Sequence, residues 1–175
     1  VISNVAVHGM QAAFFIRLGN RARPFEAGGP VPGVGIVRDI QIANVVARDI
    51  GPVGCSITGL PGHFVENVLL SDIDVRFEGG GKVRPPGVEV PEVPESYPEH
   101  DMFGDLPSYG LFCRHVRGLH LRNLRFSWEQ SDERPGLICD DVRDLRLEAL
   151  SVQPPIGAAP TIVLNNVDST FITGC

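Results

Sequence analysis

The sequence predicts an all-β protein folded as a right-handed, single-stranded parallel β-helix. Three observations predict this solenoid of about six coils, each about 25 residues long. A six-residue pattern of apolar, polar, Asn/Asp/Gly, apolar, polar and apolar positions recurs along the chain, and such a period is typical of solenoids. The apolar positions alternate, which indicates strands. Asn, Asp and Gly stand between the strands, where they allow turns with a left-handed backbone.

The starts of this pattern define the predicted coils. They are Ile2, Val37, Val65, Val116, Val142 and Val167. Three of the intervals between them are 28, 26 and 25 residues, which is close to one coil each. We expect strands of about three to five residues, with side chains that alternate between a packed interior and solvent.

Two rows of polar residues are predicted at the turns. The first row contains Asn4, Asp39, Asn67 and Asp144, and Gly118 interrupts it. The second row contains Asn44, Asp72 and Asn123. Side chains stacked in this way can satisfy the hydrogen-bonding groups of the turn backbone, so we expect two ladders along the solenoid.

Residues 1–175 are predicted to form one β-helix domain with two inserted loops, at 21–33 and 78–108. The longer loop is rich in proline and lacks the alternation of a strand. We expect it to cover the flank of the β-helix; the alternative is an aromatic and acid-rich wall beside a sugar-binding cleft. The apolar residues expected to anchor it are Met102, Phe103 and Leu106.

Composition argues against several classes of protein. The net charge of −6 opposes a nucleic-acid partner, which would require a basic surface. No apolar run approaches the ~20 residues that span a bilayer, so no membrane partner is predicted. The first residues already fit the repeat and do not read as a signal peptide. Four cysteines without a CxxC pair offer no zinc spacing, and no metal or cofactor is predicted.

Two of the cysteines occupy matching contexts. Cys113 in LFCRHV and Cys139 in LICDDV are 26 residues apart. We expect them to stack in neighbouring coils as two small buried hydrophobic residues. A disulfide between them is the alternative, although side chains stacked on parallel strands are poorly aimed for one.

Four stretches of the chain resemble one known family. They are FFIRLGNRAR at 14–23, ITGLPGHFVENVLLSDIDV at 57–75, YPEHDMFGDLPSYGLFCRHV at 97–116 and RPGLICDDVRDL at 134–145. These stretches are similar to the C-terminal coils of the family-28 glycoside hydrolases, the polygalacturonase-like β-helix enzymes. The resemblance implies inverting hydrolysis of pectin-type or rhamnogalacturonan-type polysaccharides that contain galacturonic acid. It also implies a secreted or periplasmic location.

The catalytic motifs of that family are missing from this chain. The family uses Asn-Thr-Asp, Asp-Asp and Gly-His-Gly motifs upstream of an Arg-x-Lys motif, and the chain contains no Asn-Thr-Asp. Its only Asp-Asp pair, Asp140-Asp141, is in a late coil, and we expect the two carboxylates to point to different faces of a strand. No catalytic residue is therefore assigned. We expect a C-terminal portion of a longer enzyme, inactive on its own.

Eight residues are predicted to bind the polysaccharide. They are Arg17, Asn20, Arg21, His63, Tyr97, Glu99, His100 and Asp101. The alternatives are a solvated loop for those near Arg17, an ordinary turn for His63, and a loop that covers the flank for those within 78–108. Arg17 lies near the place of the Arg-x-Lys arginine, which the resemblance implies contacts a substrate carboxylate. Trp128 is expected to be either a sugar platform or a packed edge residue. His115 and His120 are expected to be structural or solvent-facing.

A second function stays open from the sequence. The chain could be a non-catalytic β-helix module that binds carbohydrate or assembles end to end. Coil ends expose unpaired strand edges, and self-association with a second copy could use them.

Overall fold

A computed structural model describes residues 1–85 and 87–175 of the chain. The described residues contain nine β-strands and no helix. They therefore include no helix long and apolar enough to cross a membrane. The strands are β1 (Ile2–His8), β2 (Phe15–Arg17), β3 (Arg38–Ile50), β4 (Cys55–Thr58), β5 (Val65–Gly79), β6 (Leu111–Gln130), β7 (Leu137–Glu148), β8 (Ser151–Val152) and β9 (Ile162–Thr173). The protein is therefore all-β, as the apolar alternation predicted.

All nine strands join one curled parallel sheet. The long strand β6 shows how the chain is layered. On one side it pairs with β4 and β5, and on the other side with β7 and β8. Strand β9 then pairs with β7, while β1 pairs with β3 at the opposite edge. The sheet encloses one large apolar cluster drawn from these successive layers.

Six of the nine described strands are longer than the predicted three to five residues, and β6 is 20 residues long, whereas β2, β4 and β8 have three, four and two residues. It continues through His115, Gly118 and Asn123, which all have a positive φ. Each bend is matched by a bend in the neighbouring layer, so backbone pairing continues across it. The turn residues expected to end strands therefore lie inside them.

The register of the first unit differs from the prediction. Ile2 pairs with Ile42 and not with Val37, whereas the later units pair as their pattern predicts. The reason is that apolar residues stand five positions apart here, as at Val37 just before β3 and Ile42 within it. Two registers therefore satisfy the same six-residue pattern, and the sequence pattern alone does not distinguish them.

Both polar ladders are present, with Asn4 in the second one. Asn67 Nδ2 donates to Asp39 Oδ1 at 3.0 Å in the first ladder, and Asn123 Nδ2 donates to Asp72 Oδ1 at 2.8 Å in the second. Asn44 Nδ2 donates to Asn4 Oδ1 at 3.2 Å. All of these residues have a positive φ, which Asn and Asp tolerate better than other side chains.

Three cysteines are part of the apolar interior. Cys55, Cys113 and Cys139 are fully buried free thiols, and Cys139 lies opposite Cys113 in the sheet. They act as small hydrophobic residues, in agreement with the expected stacking. Cys175 is exposed.

The long loop lies between Gly79 and Leu111, so it begins slightly later than the predicted residue 78. Phe103 and Leu106 pack with Phe112 and Ile138 in a second apolar cluster, outside the main one, as expected of a loop that covers the flank. Burying their apolar side chains holds the loop on the sheet.

A buried ion pair secures the same loop. Arg134 Nη2 lies 2.8 Å from Asp132 Oδ2, and both side chains are almost completely buried. The same guanidinium donates to the carbonyl oxygens of Leu106 at 3.3 Å and of Pro52 at 2.8 Å. Asp132 also accepts a hydrogen bond from the backbone N–H of Gly81 at 2.9 Å. Both ends of the loop are therefore fixed to one buried pair.

Candidate functional site

Arg17 is the last residue of β2, and its side chain contacts the long loop. Its Nη1 donates to the carbonyl oxygen of Gly59 at 2.6 Å, and its Nη2 donates to the carbonyl oxygen of Glu92. The guanidinium also lies 5.2 Å from the centre of the Phe103 ring. These internal contacts engage both Nη atoms, through which a bidentate pair with a substrate carboxylate would otherwise form.

The predicted residues Asn20, Arg21 and Tyr97 lie together where the two loops meet. The backbone N–H of Asn20 donates to the carbonyl oxygen of Pro94 at 2.6 Å. The Arg21 guanidinium lies 4.8 Å from the centre of the exposed Tyr97 ring. A shallow groove of about 330 Å³ lies beside them. It is lined by Asn20, Arg21, Ala22, Arg23, Pro24, Val31 and Glu95.

The other predicted residues lie elsewhere. His63 is in a turn whose backbone pairs with Leu60, and it lines a separate groove of about 210 Å³. Glu99, His100 and Asp101 form consecutive turns, in which the carbonyl oxygens of Glu99 and Asp101 accept hydrogen bonds from backbone N–H groups. The structure therefore does not gather the eight predicted residues into one site.

A larger cleft of about 590 Å³ lies between the long loop and strands β6, β7 and β9, where no site was predicted. Three layers contribute equivalent pairs of residues to it. The pairs are Arg114 and His115, Asp140 and Asp141, and Asn165 and Asn166. The loop supplies the facing wall, which consists of Val88, Glu89, Val90, Glu92 and Pro107.

Both aspartates of the Asp-Asp pair line this cleft, so the expectation that they face different sides was wrong. The alternation of side chains holds only in regular strand conformation. Asp141 has a φ of 51°, and its counterparts His115 and Asn166 have φ values of 55° and 48°. This left-handed bend turns the strand, so Asp140 and Asp141 line the same concave surface.

His115 lies between two carboxylates. Its Nδ1 is 2.6 Å from Asp141 Oδ2, and its Nε2 is 3.1 Å from Glu92 Oε1. Asn166 Nδ2 donates to the other Asp141 oxygen at 3.1 Å. A third turn ladder thus runs through His115, Asp141 and Asn166. His115 is structural, as expected, and it also joins the loop to the sheet within the cleft.

Arg114, in strand β6, donates hydrogen bonds to the backbone of the long loop. Its side chain is only 7% exposed. Nη1 donates to the carbonyl oxygen of Val90 at 2.6 Å, and Nη2 donates to that of Pro91 at 3.1 Å. Its Nε lies 3.2 Å from Glu92 Oε1. Arg17 and Arg114 together place the Glu92 carboxylate at the cleft wall.

Asp140 is partly buried at the wall of the cleft. Burial raises its pKa above the ordinary value, and the negative charges of Asp141 and Glu92 add to the rise. Arg114 and His115 oppose the rise without cancelling it. This carboxyl therefore keeps its proton to a higher pH than a free aspartate, and in that form it can donate a hydrogen bond.

Part of this cleft could have been found in the sequence. The matching contexts of Cys113 and Cys139 already align Arg114 with Asp140 and His115 with Asp141. Nothing in the repeat places Glu92, because its loop does not follow the period. Among residues 1–85 and 87–175, no group of three or more His, Cys, Asp or Glu side chains is arranged to hold a metal ion.

Comparisons of this chain with protein-family models, with curated proteins and with solved structures found no match. The structural observations and the resemblance of the sequence motifs are therefore the basis for a functional proposal.

Proposed function

We propose that this chain is the polysaccharide-binding, C-terminal portion of a family-28-like inverting glycoside hydrolase. In this proposal the parallel sheet belongs to a right-handed β-helix of about six coils. The in-register layers and the polar turn ladders support that architecture. The FIRLGNR and PEHDMFGDLPSYG motifs support the family.

The cleft beside Glu92 is the observation that carries the proposal. Its three layers are about 4.8 Å apart, so equivalent side chains form a polar row about 10 Å long. The row offers carboxylate and amide oxygens as acceptors and amide N–H groups as donors. Sugar hydroxyls both donate and accept hydrogen bonds, and such an elongated polar surface suits a saccharide chain.

We propose that the complete enzyme hydrolyses galacturonic-acid-containing polymers outside the cytoplasm. Inverting glycosidases need an acid and a base carboxyl group about 6.5–9.5 Å apart and a water molecule. The family motifs that supply those carboxyl groups are absent from this sequence. Hydrolysis by the chain alone is therefore not expected.

Calorimetric titration of residues 1–175 with oligosaccharides prepared from pectin and rhamnogalacturonan tests the proposal. We expect binding to at least one of them, and a loss of about tenfold in affinity when Asn165→Ala removes one hydrogen-bonding group. Arg125→Gln, an exposed charge outside the cleft, is the matched control and should not change the affinity. Absence of binding across the panel, or release of reducing ends at an enzyme-like rate, would refute this function.

Self-association is the second candidate, and it rests on the two outer strands of the sheet. Strands β1 and β9 each pair on one side only. They carry exposed apolar side chains, among them Ile2, Phe171 and Ile172. Pairing of the β1 edge of one copy with the β9 edge of another would cover both. Light scattering over a concentration series tests this, and a constant monomer mass would exclude it.

A further inference from the structure

We propose that the cleft beside Glu92 binds uncharged sugar residues in preference to uronates. This inference rests on the proposed saccharide-binding function and names the sugar class that its cleft accepts. In a polymer that contains both kinds of sugar, the cleft would bind a neutral hexose, pentose or deoxyhexose. The charges that line the cleft and the contacts of Arg114 support this preference.

The lining of the cleft is acidic. Four carboxylate residues line it, and they are Glu89, Glu92, Asp140 and Asp141. The cationic residues are Arg114 and His115. When all four carboxyl groups are ionised and His115 is protonated, four negative charges face two positive ones, which leaves an excess of two negative charges. A sugar carboxylate entering it would meet like charge in a partly desolvated site.

Arg114 offers little surface to a uronate, because its side chain is only 7% exposed. Recognition of a carboxylate by arginine uses two parallel N–H donors in a bidentate pair. The Nη1 and Nη2 atoms of Arg114 donate to the carbonyl oxygens of Val90 and Pro91, and its Nε faces Glu92. Arg17 is similarly engaged by Gly59 and Glu92. Binding a uronate here would require the loop contacts to break.

The carboxylate and amide groups of the cleft are suited to hydrogen bonds with sugar hydroxyls. His115 and Asn166 contact both oxygens of Asp141 and one oxygen of Glu92, but carboxylate oxygens have about two acceptor sites each and can also accept from sugar hydroxyls. The Asn165 amide provides a donor and an acceptor beside Asp140. Hydrogen bonds from neutral hydroxyls to carboxylates are charge-assisted, and they do not bring a second negative charge into the cleft.

The groove between the two loops has an excess of positive charge, in contrast to the acidic cleft. Arg21 and Arg23 line it together with the single acid Glu95. The guanidinium of Arg21 stacks on the exposed ring of Tyr97 and stays accessible. A uronate residue of the same polymer would pair there with the guanidinium of Arg21. The two surfaces therefore differ in the charge of the sugar that each can accept.

Calorimetric titration with two size-matched oligosaccharide sets, one neutral and one uronate-containing, tests the inference. We expect the neutral set to bind the cleft at least about tenfold more tightly than the uronate set. Asn165→Ala identifies binding at the cleft, because it should weaken the neutral set. The double variant Glu89→Gln/Asp140→Asn removes two negative charges, and it should raise uronate affinity about tenfold at low salt and less at high salt.

The outcomes separate the two proposals. If no set binds, the saccharide-binding function fails and this inference fails with it. If uronate-containing sugars bind more tightly than neutral ones, and Asn165→Ala weakens that binding, the function stands and the selectivity is overturned. Uronate binding that responds to Arg21→Ala and not to Asn165→Ala supports the assignment of the two surfaces.

Discussion

His115 and Asp141 occupy equivalent positions in adjacent layers, and their side chains meet at 2.6 Å between Nδ1 and Oδ2. Both residues have a left-handed backbone, as the Asn and Asp residues of the other two turn ladders do. The stacking that satisfies turns elsewhere thus brings a histidine and a carboxylate together at the cleft. The ladder of His115, Asp141 and Asn166 therefore both stabilises the turns and lines the candidate site.

Replacing Asp141 tests how much its left-handed backbone conformation and hydrogen bonds contribute to the free energy of unfolding. Asp141→Asn keeps a side chain that tolerates a positive φ, and we expect it to lower the free energy of unfolding by about 1 kcal/mol or less. Asp141→Val loses the hydrogen bonds and strains the backbone, and should cost about 2–4 kcal/mol. Urea denaturation measures both. Asp105→Val, at an exposed position without positive φ, is the control, and equal costs for the two Asp141 variants would contradict the reasoning.

The buried pair of Asp132 and Arg134 should contribute far more than its exposed neighbour. Asp132→Ala leaves a guanidinium buried without its carboxylate, and we expect a loss of about 3–5 kcal/mol in the free energy of unfolding. Lys82 and Glu133 form an ion pair close by, at 2.6 Å, but Lys82 is largely exposed. Lys82→Ala should therefore cost less than about 1 kcal/mol. Chemical denaturation of both variants makes the comparison, and similar losses would show that burial does not determine the cost.

Asp132 and Asp140 should affect the pH dependence of stability in opposite directions. Burial alone would raise the pKa of Asp132, but hydrogen bonds from Arg134 and from the Gly81 backbone lower it below the ordinary 3.8. The stability that Asp132 contributes is fully present above pH 3.8 and is lost as the pH falls through its lowered value. Melting temperatures of Asp132→Asn and the wild-type protein should therefore converge in acid.

The raised pKa of Asp140 has the reverse consequence. Its folded form holds the proton more tightly than the unfolded chain, so stability falls as the pH rises from 3.8 through the raised value. Asp140→Asn removes that cost and should raise the melting temperature at pH 7 by about 1–3 °C, since the group is partly exposed and screened. At pH 3 it should have no effect. A gain that is equal at both pH values would contradict this assignment.

The cysteines should separate into two reactivity classes. Burial raises the pKa of Cys55 to about 11 and that of Cys113 well above its ordinary value, so both stay protonated and shielded. Titration of the native protein with a thiol-reactive dye should modify Cys175 quickly. The three buried thiols should react only after denaturant unfolds the sheet. Fast reaction of two or more thiols in the native state would mean that the interior opens readily.

Much of the scaffold follows from local patterns in the sequence. The spacing of Val65, Val116 and Val142 predicts the stacked strands, because apolar side chains must reach the interior in every layer. The Asn and Asp positions predict the ladders, because few other residues accept a left-handed turn. The exception is Ile2, where two registers satisfy one pattern and only the stacking of Asn4 on Asn44 distinguishes them.

The amino-acid sequence by itself determined the β class, the parallel layers and the turn ladders, since each depends on residues that recur at a short period. Only the tertiary structure decided the cleft. Glu92 reaches His115 through a loop that has no period, and the left-handed bend at Asp141 brings neighbouring carboxylates to one surface. Contacts of this kind depend on how the loop packs, which is a property of the whole folded chain.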